Sequence, residues 1–205
     1  MDLIEKVKDK KELRDLDDDF VKRVIERYKS FDFKKIRNDL RKVYGMFKHI
    51  KYRRDERVYE IIFDITERPE SVLDLGCGYS PSHFPYKKIK YYCADIGKDY
   101  VKNKGFVFDL LNDDYNKLPN VDVVFLFKVL ESLEYLKRNV SRDIIIKLKC
   151  KYVVVSFDKK SLSGKEIRKK GRSWFRRILT DLKLKYEVFD YDNEIFFVVK
   201  KIRNV

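Results

Sequence analysis

Apolar residues in the first third of the chain recur at helical spacing. Phe20, Val21, Val24, Ile25 and Tyr28 form one set, and Phe33, Ile36, Leu40, Val43, Tyr44 and Phe47 form a second after Ser30. Val58, Ile61, Ile62 and Ile65 form a third, which stops short of Pro69. Residues 1–19 are polar, end in Asp17-Asp18-Asp19, and predict a frayed or helical lead-in. The spacing therefore predicts a helical module over residues 1–66.

Past Pro69 the period changes. Short β-rich runs alternate with helical or turn-rich segments, as in a parallel α/β sheet. The predicted strands are Ser71–Leu75, Lys90–Asp95, Gly105–Phe108, Val121–Phe127, Lys151–Phe157, Lys185–Asp190 and Glu194–Lys200. Only Tyr191-Asp192-Asn193 separates the last two, too short for a crossover helix, so they predict an antiparallel hairpin. Residues 67–205 thus predict one α/β domain behind the helical module. Its sheet resembles the Rossmann-like, seven-stranded sheet of class I methyltransferases.

Composition narrows the class. At 205 residues, 44% hydrophobic and 15% aromatic, the chain has the material for one domain with a sizeable core and a small extra module. It has no run of eighteen apolar residues, and its charged N-terminus lacks the apolar stretch of a signal peptide, which predicts a cytoplasmic protein. Cys77, Cys93 and Cys150 lie far apart and form no CxxC pair, so neither a disulfide framework nor a metal site is expected. The charged fraction of 40% with no Gln leans toward a thermophile.

The net charge of +14 is concentrated in two places. Residues 20–59 hold 14 Lys/Arg against 5 Asp/Glu, and residues 159–177 hold 9 against 1. Such clustering favours a polyanion, nucleic acid above all, as partner. The alternative is a pair of solvated faces that keep the chain soluble.

Chemistry concentrates where strands end. Asp74-Leu75-Gly76-Cys77-Gly78 places two glycines where the chain must turn sharply and let a ligand approach its backbone. Pro81 occupies the third glycine position of the dinucleotide fingerprint, so that fingerprint fails, and the carboxylate of Asp74 disfavours a phosphate. Asp95 follows Gly78 by 17 residues, near the ~20-residue spacing at which an acid meets a ribose hydroxyl. Asp109 ends the third strand. Three acids at one sheet edge fit an adenosine-containing ligand, and the set resembles the S-adenosyl-L-methionine site of class I methyltransferases. That resemblance implies Asp74, Gly76 and Gly78 near the methionine part, Asp95 and Ile96 at the ribose, and Asp109 and Leu110 beside the adenine.

Several transfer chemistries lose support. The Asn/Asp-Pro-Pro-Tyr/Phe run of amine methylation is absent where Phe127-Lys128-Val129-Leu130-Glu131 stands. Cys150 starts a strand and is not placed as a nucleophile for carbon methylation. A Lys-Asp-Lys-Glu tetrad for ribose methylation could use Lys159 or Lys160 with Glu194, but Lys128 stands where that tetrad has its Asp.

Three runs carry a closer resemblance: Val124–Glu134, Val153–Leu162 and Asp192–Val199. In that order they are similar to the Leu-Leu-Lys-Thr-Leu-Pro-Cys-Leu-Glu, Ser/Thr-Phe-Pro-Thr-Lys-Ser-Leu and Gly-Asn-Glu-Leu-Ile-Tyr-Val runs of the small-subunit (16S) ribosomal RNA guanine-N7 methyltransferases, the aminoglycoside-resistance family. Ser80-Pro81 and Phe84-Pro85 match that family's paired prolines, which imply a short rigid crossing in place of a long first helix. Glu131 and Asp158 stand where the family has Pro, and Ser132 where it has Cys, differences that bear on loop shape beside the target base. Arg54-Asp55-Glu56-Arg57 echoes its Thr-Arg-Glu-Arg motif, which implies Arg57 at the cofactor carboxylate. The resemblance also implies target-base positioning by Lys128, Lys160 and Ser161. RNA contact is expected from Lys34, Lys35, Arg41, Lys42, Arg53, Arg54, Lys159, Lys165, Arg168, Lys169, Lys170 and Arg172, with ribosomal RNA or the small subunit as partner. Lys128 equally fits a plain strand-end lysine. Methylation of tRNA or another rRNA site, and a non-catalytic ribosome-binding factor, remain open alternatives.

Overall fold

In the computed structural model, which describes residues 2–28, 32–45, 53–102, 105–160, 166–167 and 172–201, all seven predicted strands form and join one sheet. They are β1 (Ser71–Leu75), β2 (Lys90–Asp95), β3 (Gly105–Val107), β4 (Val121–Phe127), β5 (Cys150–Asp158), β6 (Lys185–Tyr191) and β7 (Glu194–Lys200). Their order is β3-β2-β1-β4-β5-β7-β6. The first five run parallel, while β7 is antiparallel to both β5 and β6. This is the class I methyltransferase sheet with its terminal hairpin.

Burial on both faces explains why the strands read as nearly continuous apolar runs. Leu73, Leu75, Val124, Leu126, Val153, Val155 and Phe157 face a core completed by three helices, α6 (Leu130–Leu136), α7 (Val140–Lys147) and α8 (Ser173–Asp181). Their alternates Val72, Val123, Phe125, Phe127, Val154 and Val198 face the opposite side, where α4 (Glu56–Ile65) supplies Val58, Tyr59, Ile62 and Phe63. Between β1 and β2 the chain makes only a 3-10 turn over Ser80–Ser82, with Pro81 inside it. A sheet face left without its crossover helix needs another cover. Here α4 provides it, with Phe84 and Tyr86 packed edge-on against Tyr59 and Phe63 at ring separations of 5.4 and 5.0 Å. The expected module boundary at residue 66 therefore falls just after a helix that packs on the sheet.

The remaining N-terminal helices build a third core. They are α1 (Leu3–Lys8), α2 (Asp18–Glu26) and α3 (Phe33–Leu40), the last running into a π-helical turn over Arg41–Gly45. The lead-in is not frayed, because it buries Val7, Leu13 and Leu16 against Val21, Ile36 and Leu40. Burying each such side chain contributes roughly 1.5–3 kcal/mol. Phe47, expected on the second helix, lies outside the described residues. This helical group docks on the loop after β2, where α5 (Lys98–Val101) begins. The Asp17 N–H donates to the Ile96 carbonyl (3.2 Å), and the Lys98 N–H donates to the Asp15 carbonyl (2.9 Å).

Candidate active site

The carboxyl ends of β1, β2 and β4, roofed by α2 and the π-helical turn, enclose a cavity of about 370 Å³. Open α/β sheets bind ligands at this edge, where strand order reverses. The glycine turn after β1 forms its floor. Gly76 and Gly78 hold φ of +69° and +50°, left-handed values that an L side chain rarely adopts. A Cβ on Gly76 would come within 2.5 Å of a Val129 methyl, whereas one on Gly78 would meet no atom within 4 Å. Gly76 is needed for close packing, and Gly78 leaves open room beside its backbone.

The three predicted acids occupy three settings. Asp95 lines the cavity and accepts from the N–H groups of Gly78 (3.0 Å) and Gly97 (2.8 Å). Burial pushes its carboxyl up to about 6 even though those two N–H groups pull it down. Asp109 lines the cavity too. It accepts from the Leu111 N–H (2.8 Å), the Asn112 amide (2.7 Å) and the Arg23 guanidinium of α2 (2.7 Å). Asp74 is 1% exposed and does not reach the cavity surface. It lies under the turn, accepts from the Tyr91 hydroxyl (2.7 Å), and is likewise raised by burial to about 6. Ile96 and Leu110 add apolar lining.

The opposite wall is a chain of paired charges. Arg54 donates to both Glu194 oxygens (3.1 and 3.3 Å), and its guanidinium lies 3.9 Å from the Phe127 ring centre. Lys128 lies 2.8 Å from Asp158 and 3.3 Å from Glu194. Arg172 donates to the Asp158 carbonyl (2.5 Å) and to Glu131 (3.2 Å). Burial alone would raise the Glu194 carboxyl, but Arg54 and Lys128 together hold it below its ordinary value. Lys128 adopts a left-handed φ of +60°, and its N–H donates to the Ser156 carbonyl (3.0 Å).

The structure redistributes several expected roles. Arg57 does not line the cavity. It is exposed and bonded to Asp55 (2.8 Å), and Arg54 occupies the cavity wall instead. Arg54 and Arg172 are 7% and 2% exposed, so neither presents a solvated cation to RNA. Lys34, Lys35 and Arg53 are exposed. Arg41 pairs with Glu12, Lys42 bonds the Tyr135 hydroxyl (3.1 Å), and Lys159 pairs with Asp190 (3.7 Å). Lys160 lines the cavity. Ser161, Lys165, Arg168, Lys169 and Lys170 lie outside the described residues.

Sequence reasoning missed the roof, made by Phe20 and Tyr44, and Arg23, which holds the cavity acid Asp109 from α2. Phe20 and Arg23 are three positions apart on α2 and therefore share a face, a signal that the helical spacing contained. It also missed Asp158, the last residue of β5, which lines the cavity beside Lys128. A covalent thiol route finds no support, since burial pushes Cys150 up to about 12. Among the described residues no group of three or more His, Cys, Asp or Glu could hold a metal ion, and no helix is long and apolar enough to cross a membrane.

No protein-family model matches the chain. In an alignment 176 positions long that covers 72% of this chain and 59% of the relative, it is 24% identical to the 16S rRNA (guanine(1405)-N(7))-methyltransferase of Proteus mirabilis. Its fold is similar to that of the 16S rRNA methyltransferase RmtF in complex with S-adenosyl-L-homocysteine. That likeness has TM-score 0.73 and 19% identity and covers 98% of this chain and all of that one. The 16S rRNA methylase RmtB (TM-score 0.67, 20% identity, 98% and 97% covered) and an rRNA methylase from Escherichia coli (0.68, 18%, 98% of each) share it.

Proposed function

We propose that this chain transfers a methyl group from S-adenosyl-L-methionine to N7 of a guanine in small-subunit ribosomal RNA. The observation that carries this reading is a single cavity joining the glycine turn and two acids to a wall of paired charges. Resemblance to the guanine-N7 methyltransferase of Proteus mirabilis supports the choice of acceptor.

The donor set fits the cofactor. Asp95 offers a carboxylate to ribose hydroxyls, the open space at Gly78 admits the methionine part, and Arg54 offers its guanidinium to the methionine carboxylate. Ile96, Phe108 and Leu110 supply apolar contact for the adenine. The cofactor contributes an electrophilic methyl on a sulfonium, which the N7 lone pair takes without loss of a proton, leaving S-adenosyl-L-homocysteine and a cationic base. No strong general base is therefore required. The protein's work is alignment and exclusion of water. Because Lys128 is already paired with Asp158 and Glu194, the wall does not oppose the positive charge that forms on the base. Exposed Lys34, Lys35 and Arg53 are the proposed RNA contacts among the described residues.

Labelled methyl from S-adenosyl-L-methionine, offered to small ribosomal subunits, naked rRNA and bulk tRNA, tests this. Label in the small-subunit RNA that cleaves at one N7-methylguanine is the expected result. Label in tRNA alone, or label without N7-specific cleavage, overturns it.

A further inference from the structure

Two side chains of opposite charge stand side by side on the acceptor wall. The Lys128 ammonium and a carboxylate oxygen of Asp158 are 2.8 Å apart, both residues line the cavity, and their side chains are 24% and 23% exposed. Arg54, on the same wall, has only 5% of its side chain exposed, lies against Glu194, and is the group proposed above for the cofactor carboxylate. We propose that the Lys128–Asp158 pair reads the Watson–Crick edge of the target guanine, Lys128 donating to O6 while Asp158 accepts from N1–H and the N2 amine. This rests on the methyl-transfer reading above and names the groups that select the base.

The chemistry of the pair is what points to a base edge. Two cations would suit phosphate, and two acids would suit a cation. A donor beside an acceptor matches guanine, whose O6 acceptor adjoins the N1–H and N2 donors. Adenine reverses the order, with an N6 donor beside an N1 acceptor. It would bring donor against donor and acceptor against acceptor, which a buried site rejects strongly.

Both groups are held in advance. Asp158 ends β5, and its carbonyl accepts from Arg172, whose guanidinium lies 5.3 Å from the Phe157 ring centre. Lys128 is set by its left-handed backbone and by its second carboxylate, Glu194. A recognition pair fixed by a second layer in this way keeps its geometry when a base enters. The pair also gains strength as the reaction proceeds. Alkylation at N7 draws electrons from the ring and makes N1–H a better donor, so the contact to Asp158 favours the transition state over the bound substrate.

Small subunits reconstituted with ligated RNA that carries inosine at the methylated position supply the test, because inosine lacks only the N2 amine. The wild-type chain is expected to methylate guanine about tenfold or more faster than inosine, the discrimination of one good base contact. Asp158→Asn keeps the side chain's size but offers only one acceptor oxygen and sets an amide donor beside it. It is expected to lose about tenfold on guanine and to bring the guanine-to-inosine ratio to one or below. Lys128→Met should slow both bases alike, since both carry O6. S-adenosyl-L-homocysteine affinity, measured by calorimetry, should stay within about twofold of wild type for Asp158→Asn, because the effect belongs to the base. A wild-type chain indifferent to inosine, or an Asp158→Asn variant that keeps the full ratio, overturns the pair as the reader while leaving the transfer reading intact. A wild-type chain that methylates no guanine N7 overturns both.

Discussion

Asp95 and Glu194 are both withdrawn from water, 6% and 1% exposed, yet their carboxyls shift in opposite directions. Asp95 is held by two backbone N–H groups and is raised, whereas Glu194 faces Arg54 and Lys128 and is lowered. Burial therefore does not decide the charge state; the partner does. The difference also separates two tasks. At the glycine turn a carboxylate keeps hydrogen-bonding capacity for an incoming hydroxyl. On the acceptor wall Arg54, Lys128 and Arg172 each face a carboxylate, so that part of the wall can meet a base that becomes cationic without a large change in field.

The strongest way to break this comparison is to remove the counter-charge. Glu194→Ala would remove the carboxylate that both the buried guanidinium of Arg54 and Lys128 face. Breaking a buried pair by deleting one partner costs about 3–5 kcal/mol. Urea unfolding should show a loss of that size, and a loss below about 1 kcal/mol would mean that the wall does not depend on this pairing.

At the other end the same kind of change should act on binding. Asp95→Asn keeps an acceptor for the Gly78 or Gly97 N–H and removes a buried charge, so the melting temperature should hold while S-adenosyl-L-homocysteine binds about ten- to a hundredfold more weakly. That range follows from losing a charged hydrogen bond to a hydroxyl. Calorimetry beside a thermal melt checks both. A fallen melting temperature with unchanged affinity would make Asp95 a scaffold group only.

A milder perturbation is pH. The folded-state values of Asp95 and Asp74 are about 6, above the ordinary 3.8, so between those values the folded chain binds more protons than the unfolded one. Their contribution to stability accordingly grows as pH falls from about 6 toward 4 and is smallest above about 6. Glu194 runs the other way. Its contribution is present above the ordinary 4.5 and is lost as pH falls through its lowered folded value. Cofactor affinity should drop as pH falls through about 6, because the ionised form of Asp95 is the better acceptor for a ribose hydroxyl. One proton limits that slope to about tenfold per pH unit. Titrations of S-adenosyl-L-homocysteine between pH 5 and 8 should show the fall in the wild type and a flatter profile in Asp95→Asn.

What the sequence made legible follows from local physics. Burial of the strands on both faces produced short apolar runs that can be counted, and the two residues between β6 and β7 allow only a hairpin. The glycine turn and the two cavity acids announced themselves at strand ends. What stayed hidden depends on distant partners. The helical period of α4 shows that one side is apolar but not that the sheet will be its cover. Asp158 and Glu194 meet because they are opposite in the β5–β7 ladder, a register set by the whole sheet.

Arg54 and Arg57, on either side of the start of α4, make the smallest test and set motif position against placement. Arg57 lies inside the helix, with its side chain exposed and bonded back to the N-cap Asp55. Arg54 lies before that cap, outside the helix, and its guanidinium stacks over Phe127. Motif position alone favours Arg57 as the partner of a cofactor carboxylate, whereas placement favours Arg54. Arg57→Ala should leave S-adenosyl-L-homocysteine affinity within about twofold of wild type. Arg54→Lys, which keeps a charge but loses the planar guanidinium stacked over Phe127, should weaken it measurably. An Arg57→Ala variant that loses tenfold would return the role to the motif and require α4 to begin differently when ligand is bound.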